Sequence, residues 1–221
     1  MDALQELFLR LAALSHVELM VGLLITGMVI VVVEEWRLNL WALTAQYVLV
    51  GLLLVRVMPA RVALIKIMVG GLVCVILFLT ARHVHWGKGH NDDEPRGGKQ
   101  GPLGGAISMT MWYRLAAALL VAVVTYALAS RHPFVDQPQG ISQASYWLLV
   151  IGLFTAVLNR SPYKVGLGLL TFQAGFGILL ANFENSLSVA ALVGVVNFLT
   201  ALAVAYLTSP QLAFLAEDDA A

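Results

Sequence analysis

Charge is scarce in this chain. Of its 221 residues only 12% are Asp, Glu, Lys or Arg, while 60% are hydrophobic; a soluble domain carries about 25% charged and about 45–50% apolar residues. Too little polar surface remains to coat a particle in water, and the deficit disappears if lipid is the outer solvent. The 13 basic and 13 acidic residues cancel, so no excess of positive charge offers a footprint for nucleic acid. Cysteine is almost missing: Cys74 stands alone, within an apolar run, which excludes an internal disulfide framework. Histidine is missing from the interior of every long apolar run, which excludes a haem held between two buried imidazoles. No phosphate-binding glycine loop, nucleophile elbow or dinucleotide fingerprint is present. The chain by itself is therefore expected to be no enzyme and to bind no cofactor or metal. A cleavable signal peptide is not expected either, since Met1 is followed by Asp2 and Glu6 instead of a basic segment.

What the chain has in abundance is long apolar runs. A helix needs about 20 predominantly apolar residues to cross the hydrocarbon core. Seven windows qualify, at 17–33, 38–58, 62–81, 113–130, 144–159, 163–182 and 187–208, the fifth being the shortest. None alternates apolar with polar residues, so helices are predicted and barrel strands are not. The expected fold is all-α: one polytopic membrane domain of about seven helices covering residues 1–221. Residues 2–15 place Leu4, Leu7, Phe8, Leu11 and Leu14 on one helical stripe, which suits either a helix lying in the membrane interface or an extension of the first span. Residues 82–112 are rich in Gly and charge and predict a flexible loop.

Lysine and arginine set the expected orientation. With seven spans, one side holds Arg37, Arg82, Lys88, Arg96, Lys99, Arg114, Arg160 and Lys164, and the other Arg10, Arg56, Arg61 and Arg131. This asymmetry puts the long loop and the C-terminus in the cytoplasm and the N-terminus outside.

Polar side chains inside spans are costly in lipid, and each is a functional hypothesis. Lys66 lies a few residues into the third span. Either its ammonium snorkels to the nearby interface, or it faces a hydrated interior and exchanges protons. Gln46, Gln173 and Asn197 lie deeper. Their amides either bridge helices or hold water along an ion path, but they cannot change charge. Glu18, Glu34, Glu35 and Glu184 sit at span ends or in short connections and are expected to be solvated. Gly166, Gly168, Gly175 and Gly177 predict a close-packing face on the sixth helix, as do Gly70 and Gly71 on the third. His83, His85 and His90, followed by Asp92, Asp93 and Glu94, have metal-binding chemistry, but their spacing fits no closed zinc pattern and a solvated loop is expected. The seventh span contains no lysine, which disfavours a retinal Schiff base.

A short internal match is also visible. Leu43-Thr44-Ala45-Gln46 in the second span corresponds to Leu170-Thr171-Phe172-Gln173 in the sixth, each preceded by a basic residue, Arg37 or Lys164. The next helices carry Lys66 and Asn197. Duplication is one explanation, as in many transport folds; chance likeness between Leu-rich helices is the other.

These residues carry a resemblance. The stretch from Trp36 to Gln46 (WRLNLWALTAQ) and the run from Lys66 to Thr80-Ala81-Arg82 resemble the E component of the membrane-bound hydrogenases related to respiratory complex I. The stretch from Asn159 to Gly168 (NRSPYKVGLG), followed by Gln173-Ala174-Gly175, resembles the same component and the small NuoK-like membrane subunit of complex I. The likeness covers most of the chain outside residues 83–112. It implies a non-catalytic subunit in the cell (inner) membrane, placed between a redox module and antiporter-like subunits, its partners being those subunits and lipid. In that family intramembrane carboxylates form a lateral proton path. Here Gln173 stands where the hydrogenase component has glutamate, Asn197 where it has aspartate, and Leu170 aligns with the complex I glutamate. The role implied is scaffolding, with hydrated polar residues assisting proton or sodium translocation. The residues also permit a stand-alone small transporter or channel, or a membrane anchor for a soluble enzyme.

Overall fold

The computed structural model describes residues 16–55, 60–83, 104–131, 139–159, 161–183 and 186–208. Within them the chain is all helix: α1 His16–Val32, α2 Trp36–Val55, α3 Ala60–His83, α4 Gly104–Arg131, α5 Gln139–Leu158, α6 Pro162–Phe183 and α7 Leu187–Leu207. From α2 to α7 each is long and apolar enough to cross a membrane. α1 is shorter, 17 residues, and reaches about 26 Å at 1.5 Å per residue. This is a multi-pass membrane protein. The helix expected at 2–15 and the C-terminal residues 209–221 lie outside the described residues.

Two boundaries differ from the sequence expectation. α5 begins at Gln139, five residues before the expected window, because its first turns are polar yet packed against protein: Ser142 and Ser145 are buried, and the Ser145 hydroxyl donates to the Gly175 carbonyl at 3.0 Å. Hydropathy alone under-reads such a turn. The stretch expected as a loop is entered by helix from both ends, since α3 runs through His83 and α4 starts at Gly104. Residues 106–111 carry no charge and no proline, so nothing in them stops a helix. Residues 84–103, with His85, His90 and the acidic run, lie outside the described part.

The helices divide into two triplets. α1, α2 and α3 pack in chain order, as do α5, α6 and α7, and each helix of the first triplet touches its counterpart: α1 on α5, α2 on α6, α3 on α7. α4 leans on α1 and α5. Three residues link α1 to α2 and three link α5 to α6, which makes each pair antiparallel neighbours. The short internal match falls on the same division: the starts of α2 and α6 lie side by side, with the Tyr163 hydroxyl donating to the Trp36 carbonyl at 3.1 Å.

The tightest contact is between α5 and α6. A Cβ built on Gly168 would sit 2.6 Å from the Ala156 amide nitrogen and 2.7 Å from the Gly152 carbonyl oxygen. Backbone therefore lies directly on backbone, as small residues permit in membrane helix pairs. The four glycines of α6 form two faces, not one. Gly168 and Gly175 meet α5, whereas Gly166 meets Val204 of α7 and Gly177 meets Lys66 of α3. In α3, Gly70 receives the Tyr47 ring, but Gly71 faces open space.

Outward faces are apolar, and lipid suits them. Only 17% of the α4 window at Trp112–Arg131 is buried. Hydroxyls that would be unpaired in hydrocarbon bond to their own helix instead: Thr80 donates to Ile76 O at 2.8 Å and Ser130 to Tyr126 O at 2.8 Å.

Candidate functional site

The four polar residues singled out from sequence come one each from α2, α3, α6 and α7. These helices form a closed ring of neighbours, α2–α3–α7–α6. None of the four helices contains an Asp or Glu.

Lys66 neither lies free at the interface nor pairs with a carboxylate. Its Nζ donates to the Gly177 carbonyl oxygen at 2.7 Å, which ties α3 to α6. A Cβ at Gly177 would meet the ammonium, the movable tip of the lysine, so a larger residue there would displace it from the carbonyl. The lysine borders a shallow open crevice, otherwise lined by apolar side chains such as Leu180, Val189 and Val193. An ammonium has three donors, so two remain for other partners.

Gln173 acts partly as helix glue. Its Nε2 donates to the Thr200 hydroxyl at 2.7 Å, and that hydroxyl in turn donates to Val196 O at 2.8 Å. Its Oε1 is buried with no partner among the described residues. The Asn197 Oδ1 is in the same state. Gln46 is the extreme case: 1% exposed, with both Oε1 and Nε2 unpartnered. An amide stripped of all hydrogen bonds costs several kcal/mol in a medium that offers none, roughly 4–8 kcal/mol on the water-to-cyclohexane scale, so a dry, empty-handed Gln46 is a poor structural device. No hydrogen bond joins any two of these four side chains among the described residues.

The structure adds residues that the sequence reading passed over. Lys164 opens α6, yet it is 7% exposed and its Nζ has no hydrogen-bond partner among the described residues. It lies within electrostatic reach of Arg114 and Glu34. Those two form an ion pair at 2.6 Å between the first half of α4 and the α1–α2 turn, where Glu34 is 75% exposed; Glu34 is thus solvated, as expected, and also has a partner on α4. Asn39 is fully buried; its Nδ2 donates to the Val33 carbonyl at 3.1 Å, and its Oδ1 is left over. Thr171 is buried with an unpartnered hydroxyl. Two signals were available in the sequence: Asn39 and Gln46 are seven residues apart on α2, and Lys164 and Thr171 seven apart on α6, which puts each pair on one helical stripe.

Chemically the arrangement holds amides, hydroxyls and two lysines but no group of three His, Cys, Asp or Glu among the described residues. It is suited to hydrogen-bonding water and to ordering helices. No protein-family model, curated protein or solved structure matches this chain.

Proposed function

We propose that this chain is a non-catalytic membrane-arm subunit of a complex I-like or hydrogenase-like respiratory assembly in the cell membrane. It scaffolds antiporter-like and redox-module subunits and assists ion movement through hydrated amides. The observation that carries the reading is the ring of α2, α3, α6 and α7, which supply Gln46, Lys66, Gln173 and Asn197 and contain no carboxylate. Amides can hold water but cannot carry a proton as titrating sites, which fits an assisting part and not a pump. The resemblance of residues 36–46, 66–82 and 159–175 supplies the kind of assembly. Backbone contact between α5 and α6 favours a packed spacer over a stand-alone transporter, in which one helix group must rock against another.

Lys66 is the one of the four whose charge can respond to a neighbour. The test is ion translocation per electron in vesicles holding the whole assembly, with subunit content checked separately. Lys66→Met is expected to leave electron transfer running and to lower the ion-to-electron ratio. Gln173→Leu breaks one interhelical hydrogen bond, worth about 0.6 kcal/mol on average in membrane helices, and is expected to leave the ratio near normal. Normal pumping by Lys66→Met, together with abolished pumping by Gln173→Leu in an intact assembly, would sink this reading in favour of a path through Gln173.

A further inference from the structure

Four buried polar side chains, Asn39 and Gln46 of α2 and Lys164 and Thr171 of α6, lie on two stripes that begin near the end of α1 and are separate from the lining of the Lys66 crevice. Asn39 reaches the carbonyl of Val33, and Lys164 lies by Glu34, the next residue. The α1–α2 turn thus brings Asn39 of α2 and Lys164 of α6 to one place. Seven residues further along, about 10.5 Å at 1.5 Å per residue, the same stripes carry Gln46 on α2 and Thr171 on α6. The pairs also match in depth, because Trp36 and Tyr163 at the two helix starts are hydrogen-bonded.

The direction of the α2 stripe follows from its neighbours. Tyr47 and Gly51 meet α3, Leu49 meets Gly22 of α1, and Trp41 and Val48 are exposed. At 100° per residue, Asn39 and Gln46 fall between the α1 and α3 faces, opposite the exposed one, which is where α6 lies. On α6, Gly168 and Gly175 meet α5, Gly166 meets α7, and Leu169 and Phe176 are exposed. Thr171 and Lys164 then fall beside the α5 face, away from the exposed one, toward α1 and α2. Both stripes face the same interior joint.

Each stripe is short of partners. The atoms without a hydrogen bond are Asn39 Oδ1, Gln46 Oε1 and Nε2, Lys164 Nζ and Thr171 Oγ1. Donors and acceptors are both represented at each of the two levels. Water both donates and accepts, and buried water makes about three hydrogen bonds to such groups. We propose that the joint between α1, α2 and α6 is a water-binding half-path, entered at the Lys164 end and closed near the membrane midplane at Gln46 and Thr171. A buried ammonium at its mouth disfavours cations such as sodium, the unpartnered acceptors Asn39 Oδ1 and Gln46 Oε1 disfavour an anion, and water, which can donate and accept, is left as the ligand. This deepens the hydrated-amide part of the proposed function and does not depend on which assembly the chain joins.

The test uses the full chain in lipid vesicles with Cys74→Ala to remove the native thiol. Thr171→Cys is compared with Leu170→Cys, a fully buried apolar neighbour, and Val48→Cys on the outward face. The probe is methyl methanethiosulfonate, small and uncharged, which reacts with the thiolate and so requires water. Thr171→Cys is expected to react at least about tenfold faster than both controls. A rate no higher than theirs overturns the half-path. Should the cysteine variants fail to fold, nuclear magnetisation transfer from water in the unaltered chain decides: the Gln46 side-chain amide is expected to receive it, and its silence overturns the proposal. A chain that joins no respiratory assembly but keeps a wet Thr171 defeats the proposed function alone. A dry Thr171 in a chain that does assemble defeats the half-path alone.

Discussion

Replacing Gly152 with alanine is expected to destabilise the protein by about 1–3 kcal/mol, the usual penalty for forcing a methyl group into a filled space. Two effects oppose each other. Alanine favours helix over glycine by about 0.8–1.0 kcal/mol. Against this, the new Cβ would lie 2.7 Å from the Gly168 carbonyl oxygen and 2.8 Å from Phe172 Cα. Backbone cannot swing aside as a side-chain tip does, so α5 and α6 must separate, and the most extensive helix contact in the bundle loosens along its length. Gly71→Ala is the internal control, because a Cβ there meets nothing within 4 Å; only the propensity gain remains, and that variant is expected to be as stable as the parent or slightly more so. Reversible unfolding in mixed micelles measures both. Equal stability of the two variants would show that the α5–α6 contact is looser than described.

Trp147→Ala should cost more, about 3–5 kcal/mol, as for other buried aromatic side chains truncated to alanine. Trp147 is 2% exposed. It fills the seam between α5 and α1: its indole lies against Gly27, whose missing Cβ makes room for it, and its Nε1 donates to the Leu23 carbonyl at 3.0 Å. Trp147→Phe separates volume from hydrogen bonding. It keeps most of the ring and loses the bond, so its cost should be smaller, near the 0.6 kcal/mol average of roughly comparable membrane hydrogen bonds. If both variants lose the same stability, the hydrogen bond and not the packing holds α1 to α5.

The helices themselves were legible in the sequence because lipid imposes one strong rule, a long apolar run, and six of the seven described helices obey it outright. The start of α5 was less legible. Hydropathy assumes that the environment of a span is lipid, whereas Ser142 and Ser145 face protein, where a carbonyl such as that of Gly175 satisfies a hydroxyl. The glycine face of α6 was legible as small residues, but its split into an α5 side and an α7 side was not, because the split depends on where the neighbouring helices stand. For the site, Lys66, Gln46, Gln173 and Asn197 were visible as polar residues in apolar runs. Lys164 was not singled out: a basic residue at a span end ordinarily reaches water, and only the placement of α1 and α4 buries it. Glu34 is solvated as the sequence led one to expect, 75% exposed, but its partner Arg114 is 80 positions away, beyond any local pattern.

The proposed function makes the six membrane-length helices, the intramembrane amides and the close-packed α5–α6 pair parts of a spacer that holds water and neighbours and does not work alone. Purification from native membranes in mild detergent tests that claim most directly. The account predicts that this chain elutes in a large complex with iron–sulfur and antiporter-like subunits, and that its removal dissociates the redox module from the membrane arm. A lone homo-oligomer of this chain, free of redox subunits and carrying ions by itself when reconstituted, would contradict it.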